Sequence, residues 1–435
     1  MRRDAAVGRR APPPSATPPA PLRGATARRR STFFASSFFA KKGRWWGLLV
    51  LIPILILILV VALAALVARS PTPQQQQQQQ QQPPPDLRDK PPIFSVGVVS
   101  DLQHANRSDG RTMGVRRYYA NSLEILDRAR AHWLAESGGG DDDARPLSSV
   151  LVLGDVVDRS AADPEACVNR VLAKLAGLPD VRFALGNHDV ETVAPRRALL
   201  SLLGIDAAAE AGGEDLAYHA FRPVPGFKLV VLDAYAVSAY WPPDHPGFAE
   251  AAATLTRARG GAPLSADPRT LKSPKGLRGF DRRFTSLGGA LGARQLAWLR
   301  GELRDSSSRG ERVVVFSHVP CHPRVCSRRC GHLCLSWDYG EILGALRDFD
   351  CVAAFFAGHD HPGGMFSEQV FRRESGGGGG ALRTPGTDKR WVHHVTLPGV
   401  IETPPGDTSF GTLDFHREGI FLRGHGRLES RWLPF

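Results

Sequence analysis

Aspartate, asparagine and histidine follow apolar runs at five places in this chain. Ser95–Ser100 leads into Asp101, Ser149–Leu153 into Gly154-Asp155, Val181–Leu185 into Gly186-Asn187-His188, Val313–Ser317 into His318, and Val352–Ala357 into Gly358-His359-Asp360-His361. A carboxylate can bridge two cations through its two oxygens, an amide offers a neutral oxygen, and an imidazole offers a nitrogen. Mixed oxygen and nitrogen donors without thiolate suit manganese, iron or zinc. Two such cations about 3.5–4 Å apart would share a hydroxide and clamp both oxygens of an in-line displacement at phosphorus. One aspartate or histidine after a strand is ordinarily structural. The chemical weight lies in the whole set, each member beside glycine, serine or asparagine.

Elements that position such a set follow from the same runs. Short stretches rich in Val, Leu and Phe read as buried strands, and chemistry collects at the carboxyl ends of strands in sheets flanked by helices. Helical patterns fall between the runs, at Val115–Glu136, Pro164–Ala176, Ala194–Leu203, Ala293–Asp305 and Tyr339–Asp348. Alternation of strand and helix predicts an α/β core. Beyond Val392 the pattern changes to short strands at Val392–Leu397, Gly411–Phe415 and Gly419–Gly424, so a mixed sheet is expected. Gly138–Asp143, Gly260–Arg278 and Ser375–Lys389 read as surface insertions, and the Asp141–Asp143 run as a solvated loop.

Five motifs together resemble the calcineurin-like metallophosphoesterases: Asp101-x-Gln103, Gly154-Asp155-Val156-Val157-Asp158-Arg159, Gly186-Asn187-His188-Asp189, Ser317-His318 and Gly358-His359-Asp360-His361. The usual first motif is Asp-x-His. Gln103 stands at its last position here and points to one branch, the manganese-dependent ADP-ribose/CDP-alcohol diphosphatases. That branch is also matched by Arg116-Arg117-Tyr118-Tyr119, Leu232-Asp233-Ala234-Tyr235, Leu335-Ser336-Trp337-Asp338-Tyr339, Gly399-Val400-Ile401-Glu402-Thr403 and Phe410-Gly411-Thr412.

The resemblance implies an α/β/β/α sandwich of two mixed β-sheets flanked by helices. It implies two divalent cations, manganese first and iron or zinc as alternatives. Asp101, Gln103, Asp155 and His361 would hold one, and Asp155, Asn187, His318 and His359 the other. Gln103 and His104 cannot both face Asp101's cation, because a strand alternates faces; spacing favours Gln103, with His104 the alternative. His188 is placed to give a proton to the leaving oxygen or to stabilise transition-state charge. Asp158 and Asp189 would orient ligands or His188 from behind. The implied reaction is hydrolysis of the phosphoanhydride in a nucleoside diphosphate linked to a sugar or alcohol, of the ADP-ribose, CDP-choline or CDP-glycerol type. A base pocket beside the cations would draw on Tyr118, Tyr119, Tyr235, Trp337 and Phe410.

Charge is unevenly spread. Residues 1–46 hold eleven Lys or Arg and one acid, whereas the rest of the chain holds 44 basic and 42 acidic side chains. The high pI therefore describes a tail, and charge gives no support to a nucleic-acid partner for the folded part. Residues 1–46 read as a basic disordered tail. Gly47–Ala68 carries no charge and as a helix would span roughly 33 Å, so one transmembrane helix is expected there. Lys41, Lys42 and Arg44 on its amino-terminal side predict a cytosolic amino terminus and a lumenal or extracellular catalytic domain; organelle targeting by the Arg- and Ser-rich tail is the alternative. Residues 69–92, with the glutamine run Gln74–Gln82 and Pro83-Pro84-Pro85, read as a linker, and residues 93–435 as the phosphoesterase domain.

Cys321, Cys326, Cys330 and Cys334 fall within fourteen residues. Disulfides, a zinc site and free thiols are all open readings, since the spacing lacks a paired Cys-x-x-Cys signature. Cys167 and Cys351 sit in apolar surroundings and are expected to be buried. Asn106-Arg107-Ser108 is a glycosylation sequon usable in a lumenal domain. Two competing functions remain: a phosphomonoesterase or protein phosphatase on the same scaffold, and a membrane-anchored binding protein with weakened catalysis. Oligomeric state is left open.

Overall fold

The computed structural model describes residues 82–84, 90–112, 114–137, 147–205, 215–261, 266–371 and 389–435. Two six-stranded sheets form its frame. The first has the order β14-β13-β12-β1-β4-β5, built from β1 (Phe94–Val99), β4 (Leu147–Leu153), β5 (Val181–Ala184), β12 (Ser409–Phe415), β13 (Gly419–Gly426) and β14 (Arg431–Pro434). The second has the order β10-β11-β9-β8-β7-β6, from β6 (His219–Phe221), β7 (Phe227–Val231), β8 (Arg312–Phe316), β9 (Val352–Ala357), β10 (Gly364–Phe371) and β11 (Lys389–Thr396). Both sheets are mixed: β1, β4 and β5 run parallel, as do β7, β8, β9 and β11, and the remaining neighbours are antiparallel.

The period-two alternation of side chains explains why the central strands read as unbroken apolar runs. Phe94, Val96, Val98, Leu151 and Leu153 of the first sheet pack with Phe227, Leu229, Val231, Val314, Phe316 and Phe356 of the second. Phe94 stacks on Phe415 at 4.2 Å between ring centroids and meets Phe227 edge-on at 5.3 Å. The alternate residues face helices. Val150 and Val152 pack on α1 (Asn121–Ser137) and α2 (Pro164–Leu175), while Val313, Val315 and Phe355 pack on α6 (Gly292–Arg309) and α7 (Tyr339–Asp348). Between these lie α3 (Asn187–Thr192), α4 (Arg196–Leu202) and α5 (Pro246–Ala258). The layers are helix, sheet, sheet, helix, as expected.

Two expectations are corrected, and one strand that was not foreseen is added. Val115–Arg117 is not the start of a helix. It is β3, paired with β2 (Gly110–Thr112) across a turn in which Gly114 takes φ 81°, and the helix begins only at Asn121. The apolar segment Phe227–Val231 is a central strand despite Lys228, whose buried ammonium is paired with Glu302 at 2.8 Å and Asp305 at 2.9 Å. The single-pass membrane topology, with its membrane partner and its lumenal domain, is not upheld: among the described residues no helix is long and apolar enough to cross a membrane. The longer helices bury one apolar stripe on a sheet and turn charged residues outward, as α2 does with Cys167, Val168, Val171 and Leu175 inward. Gly47–Ala68, the basic tail, Gly138–Asp143 and most of Ser375–Lys389 lie outside the described residues.

Gly97 in β1 lies under the indole of Trp133, so that a Cβ there would stand 2.7 Å from Trp133 Cε2. Gly97→Ala is expected to cost about 1–3 kcal/mol by overpacking, read as a lowered denaturant midpoint. An unchanged midpoint would show that the indole slides freely.

Candidate metal centre

The carboxyl ends of β1, β4 and β5 in one sheet meet those of β8 and β9 in the other, and the chemistry-bearing residues lie in this meeting line. Asp101, Gln103, Asp155 and His359 all adopt left-handed backbone, with φ of 55°, 41°, 54° and 68°. Non-glycine residues pay about 1–3 kcal/mol for such conformations and hold them where the surroundings demand it. Here the sharp turn after each strand swings the side chain back over the strand end. Close approach is also required of the backbone beside them. A Cβ at Gly186 would collide with Asp155 Oδ1, and one at Gly358 with Ser100 Oγ.

Two donor groups result, each with its ligand atoms within 4.8 Å of one another: Asp155, His318 and His359, and Asp101, Asp155 and His361. Asp155 belongs to both. His318 Nδ1 lies 2.7 Å from the Leu153 carbonyl, which fixes the proton on that nitrogen. The unprotonated Nε2 then faces His359 Nδ1 at 3.1 Å and Asp155 Oδ1 at 3.6 Å. His361 Nε2 lies 3.2 Å from Asp101 Oδ1, and its Nδ1 lies 3.0 Å from Glu402 Oε1. Lone pairs of nitrogen and oxygen thus converge on two small spaces, an arrangement suited to two cations sharing the Asp155 carboxylate.

Electrostatics agrees with this donor set. Burial raises the Asp101 carboxyl, but the charge of His361 and its hydrogen bond outweigh it and hold the group well below the carboxylate range. Asp155 is likewise lowered against burial, by His318 and His188. His359 is pushed down to about 3 by burial and by His318, so its imidazole is neutral. His361 moves the other way, to about 9, because Asp101 overrides its burial.

Asp189 organises the floor. Its carboxylate accepts from the backbone N–H groups of Gly186 (2.9 Å), Asp155 (2.8 Å), Val156 (2.8 Å) and Val157 (3.2 Å). Burial and the Asp155 charge raise it to about 7. His188 N–H donates to Asp155 Oδ1 at 2.8 Å. The His188 ring is held between Asp158, whose Oδ2 is 3.2 Å from Nδ1, and Arg159, whose Nη2 is 2.9 Å from Nε2. A guanidinium has no acceptor, so Nε2 accepts from Arg159, while Nδ1 lies between the Asp158 carboxylate and the Arg159 backbone N–H, which donates to it at 3.1 Å. Burial raises the Asp158 carboxyl, but its bond to His188 prevails and brings it to about 2.

The structure brings Asp101, Gln103, Asp155, His318, His359 and His361 together, with Asn187 and His188 beside them. The Gln103 amide lies between Asp155 Oδ2 (2.8 Å) and His361 Nε2 (3.2 Å); it faces them with Nε2, and a half-turn of the amide presents its oxygen instead. His104 turns the other way, its Nδ1 3.2 Å from the Tyr119 carbonyl. Among the aromatics, Tyr235 reaches the site, with its hydroxyl 3.5 Å from Asn187 Oδ1, and Tyr118 is half-buried under Arg116. Tyr119 packs with Ala105 and Ile401, Trp337 with Val237 and Ala290, and Phe410 against Trp133 and His425, all in the interior. Of the four clustered cysteines, Cys330 and Cys334 form a disulfide, while Cys321 and Cys326 are free; Cys167 and Cys351 are buried as expected. Sequence reasoning assigned no role to Glu402, Arg117 or Arg159. The stretches that contain them were the available signal.

A family model described as calcineurin-like phosphoesterase matches residues 94–363. A protein of Arabidopsis thaliana named manganese-dependent ADP-ribose/CDP-alcohol diphosphatase is 35% identical over 350 residues, covering 78% of this chain and 97% of that relative. The protein of the same name from Oryza sativa subsp. japonica is 33% identical, covering 80% and 95%. A crystal structure of a dimetal phosphatase from Danio rerio superposes with a TM-score of 0.67 at 30% identity, covering 79% of this chain and 99% of that one.

A cation entering beside His361 must displace its proton. Affinity at that position is therefore expected to rise about tenfold per pH unit from near neutrality and to level off near about 9. The sign for the cation-free protein is opposite: a raised histidine contributes stability below its unfolded value that is lost as pH rises through about 9. Calorimetric titration with Mn²⁺ across pH checks the first, and chelator-treated melting curves the second.

Proposed function

This chain belongs to the calcineurin-like phosphoesterases, among their manganese-dependent ADP-ribose/CDP-alcohol diphosphatases, and on that premise we propose that it hydrolyses the phosphoanhydride of nucleoside diphosphates linked to a sugar or alcohol. It is a metal-dependent hydrolase. The reading names the substrate as of the ADP-ribose, CDP-choline or CDP-glycerol type, and residues 93–435 as the catalytic domain. The observation that carries it is the pair of donor groups joined through Asp155.

Asp101, Gln103, Asp155 and His361 would hold one divalent cation, and Asp155, Asn187, His318 and His359 the other, with manganese first in line. When bound, such a pair polarises phosphoryl oxygens and lowers the pKa of water. The chain's own groups do the rest. Asp189 holds the backbone around Asp155 rigid by four hydrogen bonds, so the shared carboxylate needs no rearrangement when the substrate arrives. His188, backed by Asp158, would take up a proton from water at Nε2 once the substrate's phosphate draws Arg159 off it, and would give that proton to the leaving oxygen. Of the five aromatics, Tyr235 is buried behind Asn187 with its hydroxyl against the amide, and Tyr118 is half-exposed.

The test compares ADP-ribose, CDP-choline and an aryl phosphate in the presence of Mn²⁺. Hydrolysis of the diphosphates, abolished by a chelator and by Asp155→Ala, is the expected result. Aryl phosphate turnover alone would transfer the chain to the phosphomonoesterase reading, and two bound cations with no turnover of any substrate would favour a binding role. His188→Ala is expected to lower kcat by about 10²–10⁴-fold while two equivalents of metal remain bound, which steady-state kinetics and metal analysis read separately.

A further inference from the structure

Two carboxylates not used above flank His361. Glu402, with only 5% of its side chain exposed, stands 3.0 Å from His361 Nδ1. Both of its oxygens accept from Arg329 Nη2 at 2.8 Å, and Arg117, whose Nη1 also lies against His361 Nδ1, is paired with it at 3.4 Å. Asp360, next to His361 in the chain, accepts from the Ser327 backbone N–H at 2.5 Å and from Ser327 Oγ at 2.7 Å. Ser327 and Arg329 belong to one turn. Cys330 N–H donates to Ser327 Oγ at 3.2 Å, Gly331 N–H donates to the Ser327 carbonyl at 2.7 Å, and the Cys330–Cys334 disulfide closes the segment. A single turn of the cysteine-rich segment therefore holds both the carboxylate against His361 and the carboxylate that precedes it in the chain.

An imidazole ligates through its unprotonated nitrogen. A carboxylate that takes the proton of Nδ1 leaves Nε2 free and fixes the ring plane. Nε2 of His361 points at Asp101 Oδ1, the other donor of its group. The buried Glu402 carboxylate needs counter-charge to stay ionised; Arg117 supplies some from inside, with 13% of its side chain exposed, and Arg329 supplies more from the surface, with 39% exposed. His318, in the other group, is oriented by the Leu153 carbonyl and not by this turn.

We propose that Glu402 is a positioning residue for His361 and that Arg329, presented by the turn Ser327–Cys334, holds Glu402 on the imidazole, so that the cysteine-rich segment sets how tightly the Asp101–Asp155–His361 group holds its cation. This rests on the reading that the two groups hold cations, but not on the identity of the substrate.

The experiment is Mn²⁺ titration followed by calorimetry, without substrate, on the whole protein and on Glu402→Ala, Glu402→Gln and Arg329→Ala, with melting curves as the folding control. Two equivalents are expected for the unaltered protein. Glu402→Ala should weaken one of them about 10–100-fold and leave the other unchanged, and excess Mn²⁺ should restore kcat. Glu402→Gln keeps an acceptor for Nδ1–H and should recover part of the loss. Arg329→Ala, a surface change that leaves the fold intact, should weaken the same equivalent by a smaller factor. Unchanged binding in Glu402→Ala, or equal weakening of both equivalents, overturns the inference. A protein that holds fewer than two equivalents overturns it together with the two-cation reading, whereas one that holds two but hydrolyses neither diphosphate overturns the substrate assignment alone.

Discussion

Two carboxylates, Asp101 and Asp155, are buried side by side at the meeting line of the sheets. Taking an ionised carboxylate out of water costs several kcal/mol unless opposite charge and hydrogen bonds answer it. Much of the surrounding structure is that answer. His361 and His318 lie within 4 Å of them, Ser100 Oγ and the His359 N–H donate to Asp101, and the His188 N–H donates to Asp155. Behind them Asp189 is forced toward neutrality, to about 7, because a further charge in the same dry volume is resisted. Divalent cations are the remaining partners that such a concentration of lone pairs calls for.

The same demand explains the backbone. Four of the donors sit in left-handed conformations at the ends of strands, which a helix or a longer loop would not need. The strands cannot bend to reach the site, since their side chains are locked on both faces. The turn after each strand therefore absorbs all the curvature. Asp189 stabilises the turn after β4 from below by taking its N–H groups, and Gly186 and Gly358 let neighbouring chains pass without a Cβ in the way.

What was legible in the sequence was the part written locally. An apolar run followed at once by Asp, Asn or His records both a strand and the donor at its end, and spacing set Gln103 before His104. The parts written by distant partners were not legible. Lys228 hid the central strand β7, because its charge is answered by Glu302 and Asp305 some 74 and 77 positions later. Val115–Arg117 looked helical until its partner Gly110–Thr112 was placed beside it. Phe410 and Trp337 stand in stretches shared with the family, yet their rings fill the interior, since an aromatic side chain carries no mark of which side of a wall it lines. Glu402 was invisible as a partner of His361 for the same reason: 41 positions separate them, and only the fold closes that gap.

Each donor group draws on both sheets, Asp101 and Asp155 from one and His318, His359 and His361 from the other. What separates the halves is the aromatic layer of Phe94, Phe227, Phe316, Phe356 and Phe415. Close-packed interiors compress little and transmit strain, so the thickness of that layer is the length standard against which the donors are spaced. The site is in effect a caliper whose jaws are strand ends and whose spindle is the packed layer between the sheets, phenyl rings set among Val and Leu side chains. A phenylalanine far from any ligand is, in that sense, part of the gauge.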